Sequence, residues 1–397
     1  MISSVLYNIK RSLINAYCIL IDFIVLFARR VEKPNTERKK ILIIKTDNIG
    51  DFILWTDVAK EYKKIFPPEA YEITLLGNSM WASLAAKTYY FDHIIPLNRK
   101  KFILHPFYRI QKMKEVISLK WHKVIYHSFS HEFSTGLSIL KLIKSEQVIA
   151  APSDNVIDTA YWRTLVQKKL NFTPAIADTE IHELKRNAAF IKSLGHTQFV
   201  DSIPDLRFLS AQVAIKLPET YYVIFPGASS PARQWGESNF IELCNYIYEM
   251  TGWTGILCGG RSEIHLAEAI LKNSKAKLIS LAGKTSLEEF LTILEKSLFV
   301  VTNETSCTHM AASVNATTLC LLGGGHFGRF LPFPYYENRK SPQSIYYKMD
   351  CFNCNWNCKF RPTKFQAAPC VENISLTQVI QIVKVIIEEK LLTPHAK

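Results

Sequence analysis

Four cysteines near the C-terminus are the densest group of chemically active residues in this sequence. Cys351, Cys354, Cys358 and Cys370 follow the pattern Cys-x2-Cys-x3-Cys-x11-Cys. Four thiolates can close a tetrahedral shell around zinc or iron, and such a closed shell is structural rather than catalytic. We therefore expect a structural metal site here, with reduced structural thiols and, less favoured, disulfides as the alternatives. An odd total of nine cysteines with one tight cluster indicates a reducing compartment.

A second group of candidate residues lies where a helix is expected to begin. Thr305, Ser306, Cys307, Thr308 and His309 directly follow the apolar segment 299–303. The backbone N–H groups and the dipole of a helix N-terminus form an anion site. The two hydroxyls at its start and the imidazole add side-chain donors. For His309, a hydrogen-bonded structural role is the alternative.

Asp51 is the carboxylate best placed for general-base chemistry. It follows the apolar run 41–46 and Gly50, which lets the backbone turn tightly where a strand becomes a helix. A carboxylate at the edge of a cleft can accept the proton of a hydroxyl group. On propensity alone, a helix N-cap is the alternative. Asp47 is a rival base on the same loop.

Two further loops carry candidate ligand contacts. Arg233, in the sequence ARQW, can neutralise an anion, with a solvated surface arginine as the alternative. Gly259 and Gly260 follow a predicted strand, and a glycine pair permits close approach of the backbone to a ligand. Glu263 comes three residues after this pair.

Alternating strands and helices position all of these residues. The predicted strands cover 41–46, 72–77, 93–97, 123–127 and 147–151 in a first series, and 221–229, 254–260, 277–283, 299–303 and 318–324 in a second. The predicted helices include 52–66, 81–87, 181–194, 238–251, 264–273, 287–297 and 376–390. This alternation predicts two doubly wound α/β domains, which bind ligands at the carboxyl ends of their strands.

The N-terminus is apolar and basic. The run 16–28 is apolar except for Asp22, and lysines and arginines flank it on both sides. It is too short to span a membrane, so we expect an amphipathic helix on the anionic inner-membrane surface, or a helix packed on the protein itself. The domain boundaries that follow are 1–40 for this membrane-proximal segment and linker, 41–205, 206–375 with the cysteine cluster 351–370, and 376–397 for a C-terminal helix and tail.

The sequence resembles glycosyltransferase family 9, the bacterial heptosyltransferases. Five segments in order carry the resemblance: 41–57, 225–244, 257–263, 280–290 and 300–323. The resemblance implies a GT-B fold, with two Rossmann-like α/β domains facing across a central cleft. The N-terminal domain would bind the acceptor and the C-terminal domain the nucleotide sugar.

The resemblance also implies an activity. The expected enzyme is a cytoplasmic, membrane-associated inverting transferase that moves heptose or a related sugar from an ADP-sugar, with ADP-heptose favoured, to lipopolysaccharide or another bacterial surface glycan. In it, Asp51 is the base, Arg233 faces the leaving diphosphate, and Glu263 holds ribose hydroxyls. No catalytic metal is expected, and the sequence has no Asp-x-Asp pair to hold one. Arg233 stands where the family usually has lysine, and Glu304, Ser306 and Cys307 replace the usual aspartate, glycine and proline.

Three alternatives stay open. Some relatives with a comparable cysteine cluster glycosylate proteins, which keeps a protein acceptor in consideration. The altered residues at 304 and 306 are compatible with a GT-B-like scaffold that has lost activity. A nucleic-acid-binding protein with a metal knuckle would explain the formal charge of +13 and the cysteines, but not the ordered α/β motifs, so we expect no nucleic-acid partner. Hydrophobic and charged fractions of 48% and 21% exclude wholesale disorder.

Overall fold

The computed structural model describes residues 2–27, 37–153, 160–174, 176, 181–360, 363 and 365–392. Residues 28–36 of the predicted N-terminal segment and 393–397 of the predicted tail lie outside this part. The chain divides into two compact units. The first comprises Met1–Phe52, Val58–Thr179 and Asn187–Val200, and the second comprises Ile53–Asp57, Glu180–Arg186 and Asp201–Lys397.

The first sheet has five parallel strands in the order β3-β2-β1-β4-β5. The strands are β1 (Lys39–Lys45), β2 (Tyr71–Asn78), β3 (His93–Leu97), β4 (Lys120–Tyr126) and β5 (Lys144–Ala150). The central strand β1 is buried from Ile41 to Lys45, and Ile43 lies opposite Leu75 on one side and Ile125 on the other. A continuous apolar run is typical of a strand whose two faces are both covered.

Helices and turns connect these strands. They are α1 (Ile2–Phe27), α2 (Ile49–Ala59), α3 (Tyr62–Ile65), α4 (Ala82–Ala86), α5 (Arg99–Leu104), α6 (Pro106–Ile117), a π-helical turn (Phe133–Leu137), α7 (Ser138–Leu142), α8 (Ala160–Gln167) and α9 (Glu183–Ser193).

The second sheet has six parallel strands in the order β11-β10-β9-β6-β7-β8. The strands are β6 (Tyr221–Phe225), β7 (Thr254–Leu257), β8 (Leu278–Ser280), β9 (Val300–Asn303), β10 (Thr318–Leu321) and β11 (Gln343–Ile345). The helices are α10 (Glu237–Thr251), α11 (Ile264–Asn273), α12 (Leu287–Lys296), α13 (Ser306–Ser313), α14 (Pro369–Glu372) and α15 (Leu376–Leu392). Trp235, Phe240 and Val379 belong to the apolar core of this unit.

The predicted α/β class is confirmed, and the differences concern individual elements. The helix expected over 52–66 is broken, because α2 ends at Ala59 and α3 begins at Tyr62. The sequence did not predict α5 to α8 or the short edge strand β11. Each of these has eight or fewer residues except α6, so little periodicity marks them.

The N-terminal helix is longer than its apolar run predicted. α1 spans 26 residues and packs against α6 and α7. On its buried side the carboxylate of Asp22 accepts two hydrogen bonds from Arg109, at 2.7 and 2.8 Å. Its other side exposes apolar side chains, at Leu13, Leu20, Phe23 and Ile24. None of the helices in the described ranges is long and apolar enough to cross a membrane.

Candidate active site

The loops at the carboxyl edge of the second sheet carry nine of the predicted site residues. Because the strands are parallel, the loops that follow β6, β7 and β9 all leave from this edge. They hold Arg233, the glycine pair with Glu263, and the segment 305–309, respectively. Asp51 belongs to the first unit, where it follows β1. Each sheet thus presents its candidates at the edge where α/β proteins bind ligands.

The start of α13 is organised by its own hydroxyl groups. Thr305 is the N-cap, and its Oγ1 accepts a hydrogen bond from the Cys307 N–H at 3.2 Å. The Thr308 hydroxyl donates to the Asn303 carbonyl at 3.2 Å, and the side chains of Cys307 and Thr308 are fully buried. Thr305 and Ser306 are the partly exposed members of the segment. An anion bound at this helix start would therefore interact with the helix dipole and lie next to Ser306 in the first turn.

His309 is a buried, neutral imidazole. Its ring stacks on Phe333, with centroids 5.7 Å apart and planes 6° from parallel. Burial, reinforced by the neighbouring His182, lowers the pKa of His309 to about 3. The side chain can therefore donate a hydrogen bond to a ligand but cannot supply a positive charge near neutral pH. Its Nδ1 has no hydrogen-bond partner within the described ranges.

Glu263 fills the space that three glycines leave. A Cβ added to Gly227 would lie 2.1 Å from the Glu263 Cγ, and one added to Gly259 would lie 2.6 Å from its Cβ. The carboxylate accepts the Gly260 N–H at 2.7 Å and the Ser262 hydroxyl at 2.6 Å. The glycines thus admit this carboxylate, which keeps lone pairs for further hydroxyl donors.

Asn303 is a positioning residue that the sequence reasoning missed. Its Nδ2 donates to the Pro226 carbonyl at 2.7 Å, and its Oδ1 accepts the Trp235 N–H at 3.2 Å. One fully buried amide at the end of β9 therefore fixes both ends of the loop that carries Arg233. A polar residue at the end of an apolar strand was the only local signal.

Glu304 is a second missed residue. It is buried, and its Oε2 has no hydrogen-bond partner in the part of the chain that the structure describes. Burial raises its pKa to about 7, although the nearby charge of Arg233 acts in the opposite direction. A buried carboxyl group with a perturbed pKa, next to a cation at a sheet edge, is characteristic of a functional site.

The first unit presents Asp51 in the first turn of α2. The N-cap of this helix is Asn48, so the N-cap alternative for Asp51 is wrong. The carboxylate of the rival Asp47 is engaged by two neighbouring side chains. Its carboxylate lies 2.8 Å from the Lys45 ammonium and accepts the Ser128 hydroxyl at 2.7 Å. Burial alone would raise the pKa of Asp47, but Lys45 and Ser128 outweigh it and hold the pKa below its ordinary value. A paired carboxylate of low pKa is a poor proton acceptor, which weakens the case for Asp47 as the base.

The model of glycosyltransferase family 9 (heptosyltransferase) matches residues 139–359, more than half of the chain. The chain belongs to glycosyltransferase family 9. The matched residues of this family 9 member include the donor-side candidates Arg233, Glu263 and His309, but not Asp51.

Relatives support the same assignment. Over 103 residues the chain is 30% identical to lipooligosaccharide heptosyltransferase 2 of Haemophilus influenzae, which covers 25% of this chain and 30% of the relative. The chain therefore matches less than a third of the length of this curated relative.

Solved structures share the fold at low identity. A family 9 glycosyltransferase from Veillonella parvula aligns with a TM-score of 0.66 and 15% identity, over 90% of this chain and all of that one. The E. coli heptosyltransferase WaaC with ADP aligns with a TM-score of 0.61 and 15% identity, over 87% of this chain and 99% of that one. The iron-containing heptosyltransferase TibC of E. coli, in complex with ADP-D-beta-D-heptose, reaches a TM-score of 0.51 at 12% identity, over 91% and 78%. The predicted GT-B fold class is confirmed.

The four clustered cysteines of this family 9 chain are free thiols. Burial raises the pKa of Cys370, and the charges of Cys354, Cys358 and Cys351 add to this effect. The Gly324 N–H donates to the Cys370 Sγ at 3.3 Å. Across the described ranges, however, no group of three or more His, Cys, Asp or Glu side chains is arranged to hold a metal ion.

Proposed function

We propose that this chain is an inverting glycosyltransferase that moves heptose from ADP-heptose to lipopolysaccharide or another bacterial surface glycan. The observation that carries the proposal is the second sheet's carboxyl edge, where Arg233, Glu263 and the start of α13 are grouped. An arginine and a helix N-terminus suit a diphosphate, and a partly exposed carboxylate suits ribose hydroxyls. Family membership and the ADP and ADP-heptose complexes of WaaC and TibC support this choice of donor.

The proposed reaction is a single displacement with inversion. The acceptor oxygen bonds to the anomeric carbon, the bond from that carbon to the β-phosphate oxygen breaks, and the electron pair leaves on ADP. Asp51 takes the proton of the acceptor hydroxyl. Arg233 and the dipole of α13 stabilise the charge that develops on the leaving diphosphate. In this arrangement the protein's own groups stabilise the negative charge of the leaving group.

The test is ADP release from ADP-heptose with an acceptor extracted from a heptose-deficient bacterial envelope. Asp51→Asn should lower the rate of ADP release about 10²- to 10⁴-fold while leaving ADP affinity within about twofold, because the base contacts the acceptor and not the nucleotide. Asp47→Asn is the matched control for charge on the same loop and should retain more turnover. Full activity of the Asp51 variant would reject the base, and absence of ADP release by the wild type would favour the non-catalytic scaffold.

We also propose that the enzyme works at the cytoplasmic face of the inner membrane. The support is the exposed apolar side of α1, with Leu20 and Phe23 about two thirds and over half exposed, and the net charge of +13. An apolar helix face and a basic surface together favour anionic lipid. Vesicles with 30% anionic lipid should sediment the wild type, and the double variant Leu20→Gln/Phe23→Gln should stay in the supernatant. Equal sedimentation of both proteins would reject α1 as the membrane contact.

Finally, we propose that the four clustered cysteines hold a structural zinc or iron ion. The support is the donor set itself, together with the effect of the other three thiols on Cys370, and TibC is described as iron-containing. Because the described side chains are not arranged as a metal site, binding would have to draw the four thiols together. Cys351, Cys354, Cys358 and Cys370 would be the ligands and would supply no catalytic chemistry. Elemental analysis of purified protein should find one equivalent, and Cys354→Ser should lose it. A metal-free wild type would reject the proposal.

A further inference from the structure

The segment between the clustered cysteines reaches the donor side of the second unit through Trp356. The guanidinium carbon of Arg233 lies 4.5 Å from the centroid of the Trp356 indole ring. This is cation–π geometry, and tryptophan is the aromatic side chain that attracts a cation most strongly. A second contact involves the residue before Arg233, because the Ala368 N–H donates to the Ala232 carbonyl at 2.9 Å. The cysteine segment therefore contacts Arg233 through a side chain and its neighbour through the backbone.

The indole ring itself is held firmly. It packs on the glycine run after β10, where a Cβ on Gly323 would lie 2.2 Å from the ring and one on Gly325 would lie 2.4 Å from it. The Asn355 N–H donates to the Gly325 carbonyl at 2.9 Å, which fixes the backbone next to the ring. These contacts leave the ring one position, so it can act as a fixed surface for a flexible arginine.

The backbone at Trp356 is strained. Trp356 has a φ of 61° and Asn355 a φ of 50°, both in the left-handed region. For a bulky residue such as tryptophan this conformation is an unfavourable outlier. Strain of this kind is concentrated at functional sites, where the surrounding structure imposes it. The strained residue here is the one whose ring contacts Arg233.

Arg233 interacts both with this ring and, through its charge, with the buried carboxyl group of Glu304 at the end of β9. Its charge reaches Glu304, and the loop that carries Arg233 is fixed by Asn303. An arginine side chain alone has many rotamers, and ordering it costs conformational entropy. A fixed aromatic face lowers that cost before the donor binds.

We propose that Trp356 is a positioning residue that holds Arg233 toward the leaving diphosphate of the nucleotide sugar, so that the four-cysteine segment is a working part of the donor site. This inference rests on the proposed function for the role of Arg233, but not for the contact itself. Trp356 does not contact the reacting atoms, and it affects turnover only by positioning Arg233.

The contact is tested first in protein without donor, by a double-mutant cycle in urea. The variants are Trp356→Leu, Arg233→Gln and both together. We expect a coupling of about 2- to 30-fold in the unfolding equilibrium constant, the range of a cation–π pair. Phe352→Leu is the matched control. Phe352 packs on Gly324 in the same loop, but its ring lies in tilted contact with Phe327 and Tyr346. It should show no coupling to Arg233→Gln. Additive losses for the Trp356 pair would overturn the proposal whether or not the protein transfers sugar.

The consequence for catalysis is tested by the same cycle in turnover. Trp356→Leu should lower kcat/KM about tenfold in the wild-type background, and Trp356→Phe should recover part of this because it restores a π face. In the Arg233→Gln background, Trp356→Leu should cause no further loss. An equal loss in both backgrounds would show a merely structural role and refute the positioning. A wild type that neither binds ADP nor turns over would refute the proposed function, and the urea cycle would then still decide the contact.

Discussion

Glu304 should make the stability of this protein fall as pH rises through neutrality. Burial raises its folded-state pKa from 4.5 to about 7, with Arg233 acting against that shift. Since the folded protein holds this proton more tightly than the unfolded chain, the protonated carboxyl stabilises the fold fully below pH 4.5, and this stabilisation is lost as pH rises through about 7. A pKa difference of this size corresponds to about 3 kcal/mol.

The perturbation that isolates this effect is Glu304→Gln, which keeps the shape and removes the titration. The assay is urea unfolding of both proteins at a series of pH values from 4 to 8. The wild type should lose about 3 kcal/mol relative to the glutamine variant across this range, most of it between pH 4.5 and 7. Arg233→Gln should extend the loss to higher pH, because it removes the charge that lowers the pKa of Glu304. A difference that stays constant with pH would refute the burial of an uncompensated carboxyl group at this position.

The remaining predictions concern three other residues. Arg109→Leu should lower the free energy of unfolding by about 3–5 kcal/mol in urea titrations, because it leaves Asp22 buried and unpaired; a change below 1 kcal/mol would contradict the buried pair. Asn303→Ala should lower the free energy of unfolding by about 1–3 kcal/mol for each group that it leaves unsatisfied. It should also weaken ADP binding measured by calorimetry, and unchanged ADP affinity would show that the Arg233 loop does not depend on Asn303. Asp51→Asn should lower kcat about 10²- to 10⁴-fold in the ADP-release assay, and a smaller drop would point to another base.

The alternation of strands and helices could be predicted because it is a local property of the sequence. The run 41–46 begins with four branched apolar residues, and the structure buries its counterpart β1 between two neighbouring strands. The short elements α5 and α7 carry too few turns to show a period. The helix α1 begins far before its apolar run. One contact of this earlier part is the ion pair between Arg11 and Glu132, which lie 121 residues apart in the sequence.

The sequence allowed candidate site residues to be named where a loop follows a predicted strand, as for Arg233 after β6 and Glu263 after β7. The sequence could not show what holds them. Asn303 acts on a loop 77 residues away. Trp356 contacts Arg233 although five strands, β7 to β11, lie between the two residues in the sequence. Such contacts exist only once the chain has folded. Glu304 was visible as a departure from the family pattern, but its burial and its perturbed pKa depend on packing.

The central claim is that the second unit binds an ADP-sugar through Arg233 and the start of α13. The most direct measurement is a thermal-shift titration of the wild type and Arg233→Gln with ADP-heptose, ADP-glucose, UDP-glucose and GDP-mannose. A ligand at 100 times its Kd stabilises the native state by about 2.7 kcal/mol. We expect ADP-heptose to raise the Tm of the wild type by several degrees and to require a higher concentration for the same rise in the variant. Equal shifts in both proteins, or no shift with any of the four nucleotide sugars, would contradict the claim.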